Sequence, residues 1–416
     1  MKKINYILFP ILISLLLLFP IFKENISSII LILLCINTIV YKVTHKDYSF
    51  INYKTLLLTI PFWIIVITSL FTNNYTESGR HIQHSLFFLI VPVVFSLIPK
   101  EFFNHKEIEL YIGILKNLCL IIAFIYIGNF LYYIPLWKLF LMDGSAFRVY
   151  IYSYFNWFII HPSYYTTLLI LCTSHSIYYA INEKKYWQLV YVFVFYLITF
   201  LLLTKLNFVL LNIAVFVVFV LSKNINYKIK FIVPFLVFTL TTILIIGTPG
   251  LRLRFEEIYN SFGSKPKNLE YNSTSVRRAI FDCSIAIYKE NPVKGVGFEN
   301  LQNKLNECYK SNYDSNFYTE NNYMTHNYYL YILISSGIFG FIFYLFYLFN
   351  IIRICLKSKL LLFSIFLFNA LIICFTEDYF YRQFGSLYFN VMLMLFIRFS
   401  NSNEEINFSE NSFKMR

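Results

Sequence analysis

The sequence predicts an all-α fold, a polytopic membrane bundle of about twelve transmembrane helices with one large outward loop that carries amphipathic helices. Three observations predict it. The 416-residue chain is 58% hydrophobic and only 14% charged, where a soluble domain carries about a quarter charged residues. Apolar runs of about eighteen residues recur along the whole length, each enough to cross a hydrocarbon core of roughly 30 Å as a helix. Period-two alternation is absent, so backbone groups in lipid must be satisfied inside helices rather than around a barrel.

The start, Met1-Lys2-Lys3 before an apolar run, has the outline of a signal peptide. No small-residue cleavage site follows, so it reads as a retained first helix. The expected spans are 5–22, 26–42, 55–71, 82–98, 111–134, 161–180, 187–203, 206–222, 231–247, 326–352, 359–375 and 380–398. The aromatic stretch 149–160 is too short to span and suits a re-entrant or interfacial piece. These divide the chain into nine helices over 1–247, a polar outward loop over 248–325 and three helices over 326–400. An Asn/Ser/Glu-rich cytoplasmic tail, expected to be unstructured, covers 401–416.

Orientation follows from Lys and Arg in the short connections. One set, including Lys2, Lys42, Lys100, Lys184, Lys228, Arg353 and Arg398, holds eighteen; the alternating set holds only Lys23, Arg80, Lys138, Arg148, Lys205 and Arg382. Both termini are therefore expected in the cytoplasm and the 248–325 loop outside it. The net charge of +13 belongs mostly to the cytoplasmic connections, where it meets anionic headgroups. It is no nucleic-acid footprint, since no soluble domain presents a basic face. The loop itself is nearly neutral, with ten Lys/Arg against nine Asp/Glu.

Five cysteines sit in or at the ends of spans and read as small apolar fillers. Cys283 and Cys308 share the outward loop, where a disulfide is chemically allowed and two free thiols are equally consistent with the sequence. No zinc-type ligand spacing and no glycine-rich nucleotide loop occurs, so neither metal nor cofactor is expected.

The chemistry concentrates in the loop and at its edges. Asn272-Ser273-Thr274-Ser275 supplies N-cap residues, and Val276, Ala279, Ile280, Cys283, Ala286 and Ile287 recur at helical spacing until Asn291-Pro292. Arg277 projects from the first turn of this amphipathic helix, where a helix N-terminus and a guanidinium together suit a phosphate. Arg277 and Arg278 are also consistent with simple solvation at a headgroup layer. His326 stands where the chain re-enters lipid, and a neutral imidazole there can take a proton from a hydroxyl or just hydrogen-bond backbone. Gly337-x-x-Gly340 permits close helix packing. Further polar residues fall on the same outward side: Arg80, His161-Pro162-Ser163-Tyr164, Thr204-Lys205, Thr376-Glu377-Asp378 and Arg382. Charges beside apolar spans usually face the bundle interior and mark function, although Glu377 and Arg382 could also pair across their turn.

The ordered set Ser275-x-Arg277-x-x-x-Phe281, Asn291-Pro292-x-x-Gly295-Val296-Gly297, His326-Asn327-x-x-Leu330 and Gly337-x-x-Gly340 resembles the O-antigen ligase/polymerase family. The resemblance runs from about Arg80 to Leu395. Its members are polytopic bacterial inner-membrane glycosyltransferases that use glycans linked to undecaprenyl pyrophosphate. Two positions depart from the family's pattern: Phe281, often Trp there, and Lys205, often Arg.

Carried over, the resemblance implies that Arg277 and Lys205 hold the carrier's pyrophosphate and that His326 activates the acceptor hydroxyl. Arg80, His161, Arg278, Asn327, Glu377 and Arg382 would support the site, without metal and with inversion at the anomeric carbon. The partners implied are the carrier-linked glycan donor, a lipid or glycan acceptor and membrane lipids, at the periplasmic face of the cytoplasmic membrane. The acceptor would be lipid A–core or another surface anchor for a ligase, or a second carrier-linked repeat unit for a capsule, exopolysaccharide or O-antigen polymerase. A lipid-oligosaccharide flippase is the competing non-enzymatic class, but the chain lacks the related halves and mid-membrane helix breaks typical of transporters.

The charge asymmetry makes a topological prediction. A reporter fused near Asn268 should read as outside the cytoplasm and one near Lys228 as inside; the same side for both would overturn the twelve-span arrangement.

Overall fold

The computed structural model describes residues 2–46, 51–71, 74–135, 146–154, 160–222, 224–247, 273–313 and 321–413, with isolated positions at 252, 256 and 259. Lys138, Lys223, the loop around Asn268, the cap residue Asn272 and the last three residues lie outside the described residues. Every regular element among the described residues is helical. The first half contains α1 (Lys2–Leu17), α2 (Glu24–His45), α3 (Ile60–Ser69), α4 (Tyr75–Ser85), α5 (Phe87–Leu97), α6 (His105–Tyr133), α7 (Ala146–Tyr154), α8 (Pro162–Asn182), α9 (Leu189–Leu201) and α10 (Lys205–Leu221). The second contains α11 (Tyr227–Gly247), α12 (Ser273–Glu290), α13 (Leu301–Asn312), α14 (Tyr328–Ser358), α15 (Leu361–Ile373) and α16 (Gln383–Phe413).

Each expected span coincides with a helix or a helix pair. Five segments are long and apolar enough to cross a membrane by themselves: α2, α4 with α5, α6, α11 and α14. Helices α1, α3, α9, α10 and α15 are apolar but shorter. The helix drawn from Gln383 continues to Phe413, taking in most of the segment expected to be an unstructured tail. No Gly or Pro interrupts 401–413, so nothing local stops the helix there.

Helix α8 is the hub. Seventeen of its twenty-one residues are buried, and it packs on α9, α10 and α15. Three of its hydroxyls are accommodated locally: Thr166 donates to the Pro162 carbonyl at 2.8 Å, Thr167 to Ser163 at 2.7 Å and Ser174 to Ile170 at 2.7 Å, whereas Thr173 and Ser176 are buried without such a bond. Bonded to its own backbone, a small hydroxyl residue can be buried among neighbouring helices without an orphaned donor.

The loop is built as a hairpin laid against α14. Cys283 and Cys308 form a disulfide between α12 and α13, settling a pairing that the sequence left open. After α12, residues 291–297 meet a break in α14. Gly337 there has φ +65°, and the surrounding backbone bonds cross between chain segments: Val296 N–H to Ile334 O and Gly297 N–H to Ser335 O, both 2.9 Å, and Ile338 N–H to Pro292 O, 2.9 Å. A methyl on Gly295 would lie 2.4 Å from the Ser335 oxygen, and one on Gly337 2.2 Å from the Val293 oxygen. The glycines of the Asn-Pro-x-x-Gly-Val-Gly run thus serve backbone-to-backbone contact. Gly337, expected only to ease helix packing, opens α14 so that the loop can plug in.

Gly337→Ala combines that clash with a left-handed φ, a conformation that alone costs about 1–2 kcal/mol in a residue bearing a Cβ. It should lower thermal stability in detergent markedly. Gly113→Ala, where nothing lies within 4 Å of the new methyl, should be neutral or stabilising by up to about 1 kcal/mol. Equal melting temperatures for the two variants would refute the interlock.

Candidate active site

Three segments far apart in sequence meet at one carboxylate. Glu377 lies in the short link between α15 and α16, Arg277 is the fifth residue of α12, just past the first turn in which it was expected, and His326 is in the turn before α14. The Glu377 carboxylate contacts the Arg277 guanidinium (Oε1 to Nη2, 3.3 Å) and the His326 imidazole (Oε2 to Nδ1, 3.6 Å). The second distance is an ion-pair contact, too long for a hydrogen bond. Ser163, in the first turn of α8, donates its hydroxyl to Oε1 at 3.4 Å. The Glu377 side chain is 12% exposed, whereas Arg277 is 48% and His326 30% exposed. A buried anion therefore carries two partly open cationic or protonatable groups toward the surface.

Burial alone would push the Glu377 carboxyl up. The facing His326, the nearby His161 and Arg277 outweigh it and hold the group down at about 2. Glu377 is thus an anion throughout the physiological range.

Its neighbour Asp378 does different work. One oxygen accepts from the Thr325 hydroxyl and from the Asn327 N–H at 3.1 Å, and the other from the His326 N–H at 2.8 Å. His326 has φ +42°, a region costing on the order of 1–3 kcal/mol outside glycine, and these bonds hold it there. Burial raises the Asp378 carboxyl despite its donors and the His326 charge. Asn327 then caps α14, its side chain accepting from the Leu330 N–H at 3.1 Å.

The remaining predicted residues divide into two groups. His161 caps α8, its Nδ1 accepting from the Ser163 N–H at 3.3 Å, and it belongs to the cluster around Glu377. Lys205 opens α10 two residues before Asn207, whose amide bonds the Ser163 carbonyl and the Thr166 hydroxyl at 2.6 Å each. The end of α10 that carries Lys205 is therefore bonded to the end of α8 that carries Ser163. By contrast, Arg80 pairs with Glu77 on its own helix at 2.6 Å, and Arg278 faces Asp282 one turn on at 3.9 Å. The structure does not bring these two onto Glu377. Arg382 is exposed at the head of α16, and Glu377 turns to Arg277 instead of pairing with it across the turn. Ser163 and Asp378 are legible in the sequence only as members of polar runs on that side, and the contacts they make with Glu377 and with the 325–327 turn, like that of Thr325, leave no residue-type signal.

The low Glu377 value has a measurable consequence. A carboxylate depressed from 4.5 to about 2 stabilises the fold fully above pH 4.5 and loses that contribution as pH falls toward 2. Its size is on the order of 3 kcal/mol. Melting curves between pH 6 and 3 should show a steeper acid decline for the native protein than for Glu377→Gln. Parallel declines would mean that the carboxylate is not held by its cations.

Residues 190–345 match the family model described as O-antigen ligase. The matched stretch contains Lys205, Arg277, His326 and the Gly337 break, while Glu377 and Asp378 lie beyond it. Among curated proteins, none matches the chain. Together with the apolar helices, the match indicates a bacterial membrane protein of the O-antigen ligase or polymerase type. Over residues 190–345 the chain is thus similar to the O-antigen ligase family.

Proposed function

We propose that the protein is a ligase-type glycan transferase, moving an oligo- or polysaccharide from undecaprenyl pyrophosphate to an acceptor hydroxyl at the periplasmic face. The observation that carries this reading is the convergence of Arg277 and His326 on the buried Glu377 carboxylate. Such a site needs a cation for the leaving pyrophosphate and a base for the acceptor, side by side. The half-exposed Arg277 guanidinium spends one contact on Glu377 and keeps further N–H donors for phosphate oxygens. Lys205 adds a second cation from α10. Stabilising charge that grows on the leaving group is an electrostatic task that fixed cations can perform without a metal.

With Nδ1 of His326 facing Glu377, Nε2 is the nitrogen that takes the acceptor proton. The carboxylate's charge favours the proton on Nδ1 and stabilises the imidazolium formed as the hydroxyl attacks. Attack on the face opposite the pyrophosphate inverts the anomeric centre. A polymerase would use the same groups and differ only in its acceptor.

Arg277→Ala should abolish transfer while leaving the protein inserted and abundant, and Arg277→Lys should recover part of the activity. Losing one charge-assisted contact costs about 1.5–3 kcal/mol, more if the contact strengthens in the transition state. His326→Ala should lose roughly 10²–10⁴ in rate with donor binding little changed. Transfer assays on purified protein with a carrier-linked glycan check both. Wild-type rates in Arg277→Ala and His326→Gln together would remove the site.

A further inference from the structure

A groove of about 970 Å³ opens sideways between α3, α14 and the 293–300 loop. Its two ends differ chemically. Thr68, Asn74, Lys294, Glu299 and Asn300 line the end nearer the start of α14, and the remainder is walled by groups such as Trp63, Phe339 and Phe343. Two contacts fix the direction. The Gly340 Cβ position lies 3.3 Å from Ile64, and Ser78, beyond the end of α3, reaches Glu299 of the loop that bonds to residues 334–338, so Ile60 and Phe343 are at the far end and Ser336 is at the polar mouth. Phe339 and Phe343 are 61% and 59% exposed, so the apolar wall opens to the side of the bundle. A polar mouth over a laterally open apolar slot fits a lipid bound through its hydrocarbon, with its first polar groups at Lys294.

The position of the mouth selects which lipid. Ser336 is eight residues beyond Tyr328, the first residue of α14 and two after His326, about 12 Å at the helical rise, and Glu290 is thirteen beyond Arg277 along α12, about 20 Å. In a carrier-linked donor the pyrophosphate is bonded to the very carbon under attack, so it must sit beside Arg277 and His326. A headgroup held at the mouth is too distant for that. For the donor's tail to use the groove, it would have to cross Glu299, Asn300 and Lys294 before reaching an apolar wall.

An acceptor whose reacting hydroxyl lies several sugars from its acyl anchor meets both constraints. Its chains fill the slot, and its saccharide covers the distance to His326. Resting on the transfer reaction proposed above, we propose that this groove anchors a glycolipid acceptor, separate from the donor's position near Arg277 and Lys205.

The test is photolabelling of the full-length protein in proteoliposomes, which does not depend on turnover. Three diazirine-bearing probes are compared: a lipid A–core glycolipid, undecaprenyl pyrophosphate and phosphatidylethanolamine. The glycolipid should label peptides containing residues 63–71 and 339–343, in competition with its unlabelled form. Thr68→Trp and the more exposed Ile67→Trp should each reduce that labelling about tenfold. In transfer assays they should raise the acceptor KM by a similar factor, with the donor KM unchanged. Preferential labelling by the polyprenyl probe, or equal labelling by phosphatidylethanolamine, would overturn the assignment. Specific glycolipid labelling without any transfer by the native protein would instead count against the enzymatic reading.

Discussion

Two adjacent carboxylates between α15 and α16 hold one end of this molecule together. Glu377 works through charge and Asp378 through hydrogen bonds to backbone. Because they are neighbours in sequence, the imidazole of His326 and the turn that presents it are set by the same link. The charge side is strong because Glu377 is buried. The backbone side is strong because a carboxylate with three donors over-determines a turn that His326 would not adopt unaided. Removing either carboxylate would leave the partners' types unchanged and their arrangement lost.

A second constraint comes from below. The loop after α12 bonds to α14 through backbone, at the place where Gly337 breaks the helix. That contact fixes one end of α12, the disulfide fixes its middle to α13, and the Arg277–Glu377 pair fixes its start. An amphipathic helix held at three points cannot drift as an exposed loop does, so Arg277 keeps its place relative to His326.

Much of this was legible in the sequence, for identifiable reasons. Hydropathy located the helices because burial in lipid or protein needs apolar runs whatever the tertiary arrangement. The cap and periodicity of 273–290 gave α12, and Arg277, His326 and Glu377 could be chosen as polar groups at one membrane face. Partner choice was not legible. Arg80 and Arg278 are the same residue type as Arg277, yet acids at i−3 and i+4 claim them locally. Asp378's bonds to 325–327 span some fifty residues and leave no periodic trace. The role of Gly337 was hidden for the same reason, since a helix break and a small-residue packing face are written with the same letter.

The interlock at Gly337 also sets an order of assembly. During synthesis Arg277 is made before His326, and both precede Glu377, so α12 emerges before anything exists for it to grip. Its end can dock only after α14 has been laid down with its break open, and its start only after the link beyond α15. The nascent chain therefore carries Arg277 and His326 before the carboxylate that brings them together exists. The Arg277–His326–Glu377 cluster is complete only when the last helices have been laid down.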